Sequence, residues 1–229
     1  MQIRRTTATT GIGLATTILA AGILTAGCAS RETEGNGKPV AATASAHQDA
    51  KSSSVDEAGK SSKQILADAK RVALAAESVH LAGDVGNGVS LDLVLTNAGQ
   101  AKGTLTQAGR VQQIVVLNPT TVFAATSKTG GRYVRLPQAN AAEVSKSFNM
   151  SRLLADGLTP DGPVAKAGVT SQGGHHLIGL KDTSDGSVLY VADSAAAPYP
   201  LRIAQSTGGA VTFNDWNKKV TVQVPGATT

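Results

Sequence analysis

The chain has 229 residues, a formal net charge of +5, and only one cysteine, three Phe, three Tyr and one Trp. A single cysteine excludes an intramolecular disulfide, so packing must hold the fold together. The basic excess is spread along the chain without a Lys/Arg run or interleaved aromatics, which argues against nucleic acid as a partner.

The N-terminus reads as an export signal. Arg4 and Arg5 form a positive n-region, and Gly11 to Leu24 form an apolar h-region that is short for a permanent span. Thr25-Ala26-Gly27-Cys28 follows as a lipobox, although Thr25 stands where Leu, Val or Ile is usual. Cys28 is then the lipidation site and residues 1–27 the signal peptide. The alternative is ordinary cleavage at the Ala-Gly pair. Thr6 and Thr7 after Arg4-Arg5 make a twin-arginine signal a poor fit. Two or three acyl chains anchor a protein stably, at about 0.8 kcal/mol per buried CH₂. The expected location is the cell membrane, lipid-anchored on the extracytoplasmic side. Loss of the signal removes two arginines and lowers the +5 charge to +3.

Residues 28–62 are rich in Ser, Ala, Gly, Lys, Glu and Asp, with Val40 and Val55 as their only large aliphatics. Such a segment buries too little apolar surface to offset its chain entropy, and is expected to be a disordered tether. Residues 63–229 then form one domain.

That domain opens with an amphipathic helix, since Ile65, Leu66, Ala69, Val72, Ala73 and Ala76 recur at helical spacing. From Val79 the period changes to two. Leu91, Leu93 and Leu95 share one strand face, and strands are expected at 102–108, 111–117, 121–126 and 132–136. Short helices are expected at 139–148 and 151–158, and Asp161 to Ala167 reads as a turn or helix. Strands resume at Val169 and continue at 175–180, 187–192, 201–205, 211–213 and 220–224. The order of helix, strands, helices, strands defines an α+β fold in which one antiparallel sheet curls over a helical insertion.

Several segments carry a resemblance. Ala101-Lys-Gly-Thr-Leu-Thr, Gly131-Arg-Tyr-Val-Arg-Leu and Val211-Thr-Phe-Asn-Asp-Trp-Asn-Lys-Lys-Val-Thr-Val, with the lipobox and tether, resemble the LppX/LprAFG lipoproteins of actinobacteria. Phe213 to Lys218 is the strongest piece, with Lys219 where a proline is common. The resemblance implies a curved antiparallel half-barrel wrapped around helices, with an apolar cavity between them that holds acyl chains of envelope lipids or glycolipids. It implies no catalytic residues and no cofactor. Direction of transfer would come from a partner such as a membrane transporter.

The cavity-lining candidates are Ile65, Leu66, Val72, Leu91, Leu93, Leu95, Leu105, Ile114, Val116, Val122, Leu153, Leu154, Ile178, Leu180 and Ile203. Each can instead pack a solid core, in which case an anchored module binding a protein or wall polymer is the alternative; a lipid-occupancy sensor, which shares the pocket, is a further one. A lipid pocket should be an elongated apolar volume of at least several hundred Å³, on the order expected for ligand sites.

Signals for catalysis or metal binding are weak. His175 and His176 are adjacent and point to opposite strand faces, His80 stands alone, and His47 lies in the tether. Ser171-Gln-Gly-Gly-His175 reads as a turn, and Asp182 and Asp185 read as turn residues that hydrogen-bond locally. Trp216 is expected to cap the open end of the sheet, with Asp215 bonding the turn.

Overall fold

The computed structural model describes residues 57–226. The signal segment, Cys28 and most of the expected tether lie outside the described residues. Regular structure begins with a 3-10 turn at Glu57–Gly59, inside the segment read as tether. Helix α1 follows at Ser62–Ala75. Ser61 starts it through a capping box, in which its hydroxyl accepts from the Gln64 N–H at 3.3 Å and Gln64 Oε1 accepts from the Ser61 N–H at 2.9 Å. Among the described residues no helix is long and apolar enough to cross a membrane.

Among the described residues, eleven strands form one antiparallel sheet. The first meander comprises β1 (Ser78–Asp84), β2 (Val89–Thr96), β3 (Ala101–Gln107), β4 (Arg110–Asn118), β5 (Thr121–Thr126) and the short β6 (Val134–Arg135). Helices α2 (Gln138–Ser147) and α3 (Met150–Gly157) interrupt it. The second meander comprises β7 (Val164–Gln172), β8 (His175–Asp182), β9 (Val188–Ala192), β10 (Pro200–Ala204) and β11 (Ala210–Asn214). The spatial order is β6-β5-β4-β3-β2-β1-β11-β10-β9-β8-β7, so the first and last strands pair at the centre and the sheet stays open at β6 and β7. This is the expected α+β half-barrel.

Two inward glycines permit the curvature. Gly83 and Gly103 lie at φ +143° and +150°, and a Cβ there would come within 2.0 Å of the carbonyl oxygens of Ala210 and Asp92. Only glycine lets neighbouring backbones approach this closely beside the leucine rows.

Two segments differ from expectation. Asp161 to Ala167 is not a helix, because β7 starts at Val164. This edge strand is almost wholly exposed, so it carries no buried alternation for a period of two to report. Val220 to Val224 is not a strand, as the chain there has no ladder partner. It crosses the outer face of the sheet in extended form, and Val220 and Val222 pack on Val115, Phe123, Leu117 and Tyr133. The Lys102 ammonium donates to the Thr221 carbonyl at 3.2 Å and ties this segment down.

Candidate functional site: the concave face

Register places the aliphatic rows on one side of the sheet. Leu81 opposes Leu93 and Phe213, Leu95 opposes Val79 and Ala101, and Val116 opposes Ala101 and Val122. Helix α1 packs on α3, β7 and β10, while α2 packs on α3 and β5.

The interior divides into two clusters. In the first, Leu93, Leu95, Ile114, Val116, Val122 and Leu154 are buried, with Leu91, Leu153 and Ile203 half-buried against them. In the second, Ile65, Ile178 and Leu180 meet Ala69 and Val191, with Leu66 and Leu189 at the margin. The structure thus brings thirteen of the fifteen candidates into two groups on the concave side. Val72 on α1 and Leu105, which opposes Leu91 and Gln112, are half-buried and belong to neither.

Leu95, Val116 and Val122 are fully buried, so the first cluster is closely packed. Two clefts lie elsewhere. One of about 380 Å³ is lined by Asp92, Val94, Lys102, Thr104, Gln113 and Val115, outer-face positions of β2 to β4, and by Tyr133 just before β6. The other, of about 390 Å³, lies by Thr120, Arg135, Leu136 and Gln138 where β6 leads into α2.

Met150, Leu158, Phe213 and the alanines Ala73, Ala76 and Ala141 also belong to the first cluster, and none of them was among the cavity-lining candidates. The alanines carried a signal through their helical spacing, whereas Met150 and Leu158 sit at helix ends where spacing is ambiguous.

The polar residues hold structure. Asp182 is 4% exposed and its carboxylate accepts from the N–H groups of Asp161 (2.7 Å), Gly162 (3.1 Å) and Ser184 (2.8 Å) and from the Ser184 hydroxyl (2.6 Å). The hydrogen bonds from Ser184, side chain first, hold its pKa down at about 2. Asp185 accepts from the Ser187 N–H at 2.8 Å, the local role expected of a turn aspartate. Ser171 and His176 face each other across the β7–β8 hairpin, with Oγ and Nδ1 3.1 Å apart, and both are exposed. His80 is not alone, since its Nε2 lies 2.8 Å from Asp92 Oδ1 on the neighbouring strand. Among the described residues no three His, Cys, Asp or Glu side chains gather as a metal would require.

Trp216 closes the core by stacking between Tyr199 and Phe213. The Asp215 carboxylate departs from expectation. It accepts from the Lys218 ammonium at 3.3 Å rather than bonding the turn backbone, and lies 4.0 Å from His80.

An ion-pair chain marks the start of the domain. The Lys60 ammonium donates to Glu57 Oε1 at 2.5 Å and Asp68 Oδ2 at 2.7 Å, and Arg71 also reaches Asp68 at 3.3 Å. The hydrogen bond to Asp68, then that to Glu57, raises the Lys60 pKa, while the Lys60 hydrogen bond lowers that of Asp68. Glu57 is fully buried, and among the described residues its Oε2 is the buried side-chain atom left without a hydrogen-bond partner.

No family model matches the sequence, and no curated protein matches it. Among solved structures, the chain is similar to LprF from Mycobacterium bovis, with a TM-score of 0.57 and 20% identity over 72% of this chain and 96% of that one. It is also similar to the lipoprotein LppX from Mycobacterium tuberculosis, with a TM-score of 0.46 and 19% identity over 70% of this chain and 99% of that one. The protein is an open antiparallel half-barrel folded over helices. Its fold is that of LprF.

Proposed function

We propose that the protein is a lipid-anchored carrier of amphiphilic envelope lipids, tethered to the membrane through Cys28 and sheltering acyl chains between the curved sheet and its helices. The observation that supports this reading is the apolar, mainly aliphatic concave face of an open sheet, covered by helices α1, α2 and α3, which leave Leu66, Leu91, Leu153 and Ile203 half-buried at its margins. Burial of an acyl chain there would supply about 25 cal/mol per Å². The clefts described above lie on the outer face and at the β6–α2 junction, so neither is the acyl site of this reading. A passive pocket only equilibrates its ligand, so direction comes from a partner such as a membrane transporter. No catalytic step belongs to this reading.

Native mass spectrometry with organic extraction, on protein purified from a lipid-rich actinobacterial host, tests it. Stoichiometric acyl lipid, lost on Leu66→Arg with the fold retained, is the expected result. A folded, lipid-free protein that also refuses added phospholipid and glycolipid would favour an anchored interaction module, the reading to which the complete burial of Leu95, Val116 and Val122 lends weight.

A further inference from the structure

Glu57 is unusual among the buried side chains. Its carboxylate is fully removed from solvent, Lys60 occupies Oε1, and among the described residues Oε2 has no donor. Buried polar atoms are nearly always paired, and a native exception calls for an explanation: local strain, an ordered water or ion, or a bound group.

The surroundings say what kind of group. Ala58, next in the chain, packs against the second apolar cluster. Its position is fixed from both sides, since its N–H donates to Asp193 Oδ1 at 3.2 Å and its carbonyl accepts from the Lys166 ammonium at 2.6 Å. Leu66 and Leu189 remain half-buried on the margin of that cluster. An apolar cluster with two half-buried leucines at its margin therefore lies beside an acceptor that has no donor among the described residues. The nearby cations are already engaged, Lys60 by Glu57 and Asp68 and Lys166 by the Ala58 carbonyl.

We propose that Glu57 Oε2 receives a hydrogen bond from the polar head of an amphiphile whose chain lies along the Ile65–Ile178–Leu180 cluster, and that it selects hydroxyl or amine heads over carboxylate heads. This rests on the carrier reading above. A hydroxyl or amine donates to Oε2. A carboxylate head has no proton to donate at neutral pH, meets the Glu57 charge, and finds both lysines occupied.

The test uses residues 28–229 with Cys28→Ser, a chain that contains every described residue, and three probes of equal acyl length: a monoacylglycerol, an alkylamine and a fatty acid. The wild type should bind the first two at least about tenfold more tightly than the fatty acid, the scale set by one hydrogen bond to a charged group. Glu57→Gln keeps the shape but adds an amide donor, and should bring the ratio close to one. Glu57→Ala should do the same by removing the acceptor, with circular dichroism confirming the fold of both. Equal binding of all three heads by the wild type, or an unchanged ratio in the variants, overturns this inference and leaves the carrier reading standing. Failure of every probe to bind overturns both.

Discussion

The indole of Trp216 lies parallel to the Tyr199 ring within 19°, at a centroid separation of 4.9 Å, and its N–H donates to the Pro200 carbonyl at 3.0 Å. One side chain thus ties the segment after β11 to the start of β10. Trp216→Phe keeps the stacking and loses the hydrogen bond, and should cost about 1 kcal/mol in urea unfolding. Trp216→Ala should cost about 3 kcal/mol, the low end for aromatic truncation because the ring is only half-buried. As the sole tryptophan, it also reports unfolding by its fluorescence.

The close strand approach at Gly83 and Gly103 makes a sharper test. Gly83→Ala and Gly103→Ala each drive a methyl group into a neighbouring backbone carbonyl, and each should lose about 2–3 kcal/mol or more by thermal or denaturant unfolding. Gly109 has φ +73° but open space around it, so Gly109→Ala should lose only about 1 kcal/mol. Equal losses at all three positions would mean that close strand approach is not what demands glycine at 83 and 103.

The Asp182 carboxylate couples stability to acid. Its pKa is near 2 in the folded protein against a usual 3.8, so it binds protons less readily when folded. Its contribution is therefore complete above about pH 4 and disappears as the pH falls towards 2. Asp182→Asn should melt below the wild type at pH 7, and the gap between the two melting curves should close across that acid window.

Much of this architecture was legible because buried faces leave a period in the sequence. Leu91, Leu93 and Leu95 announced β2, and Ile65, Ala69, Ala73 and Ala76 announced α1. The same rule misread Val220 and Val222, because alternation reports an extended segment with one face covered, whether or not a neighbouring strand pairs with it. It missed the start of β7, where an edge strand has no covered face to report. The bond between His80 and Asp92 was invisible until β1 and β2 were set in register, since no local pattern links residues 12 apart. Glu57 gave no sign at all, because its burial depends on where a three-residue turn settles over a distant strand pair.

The outer face supplies a prediction of its own. Val222 is 8% exposed against Val115 and Phe123, so Val222→Ser should destabilise the fold by about 1–3 kcal/mol, the cost of lost packing plus a poorly partnered hydroxyl. Truncation after Lys219 should do more, uncovering Val115, Phe123 and Leu117 together and raising the fluorescence of a hydrophobic dye. Neither change reaches the concave face, so acyl binding measured on the remaining folded fraction should persist.

The pairing of β1 with β11 governs when the molecule can be completed. A chain folding from its N-terminal side can form the first meander early, yet one edge of β1 stays open until Ala210 to Asn214, the last strand among the described residues, arrive. Until then two partial sheets expose hydrogen-bonding edges at β1 and β10, each able to pair with a neighbouring chain. Assembly is therefore slow and strongly non-local, and chains shortened before β11 are prone to aggregate rather than to fold as smaller versions of the same molecule.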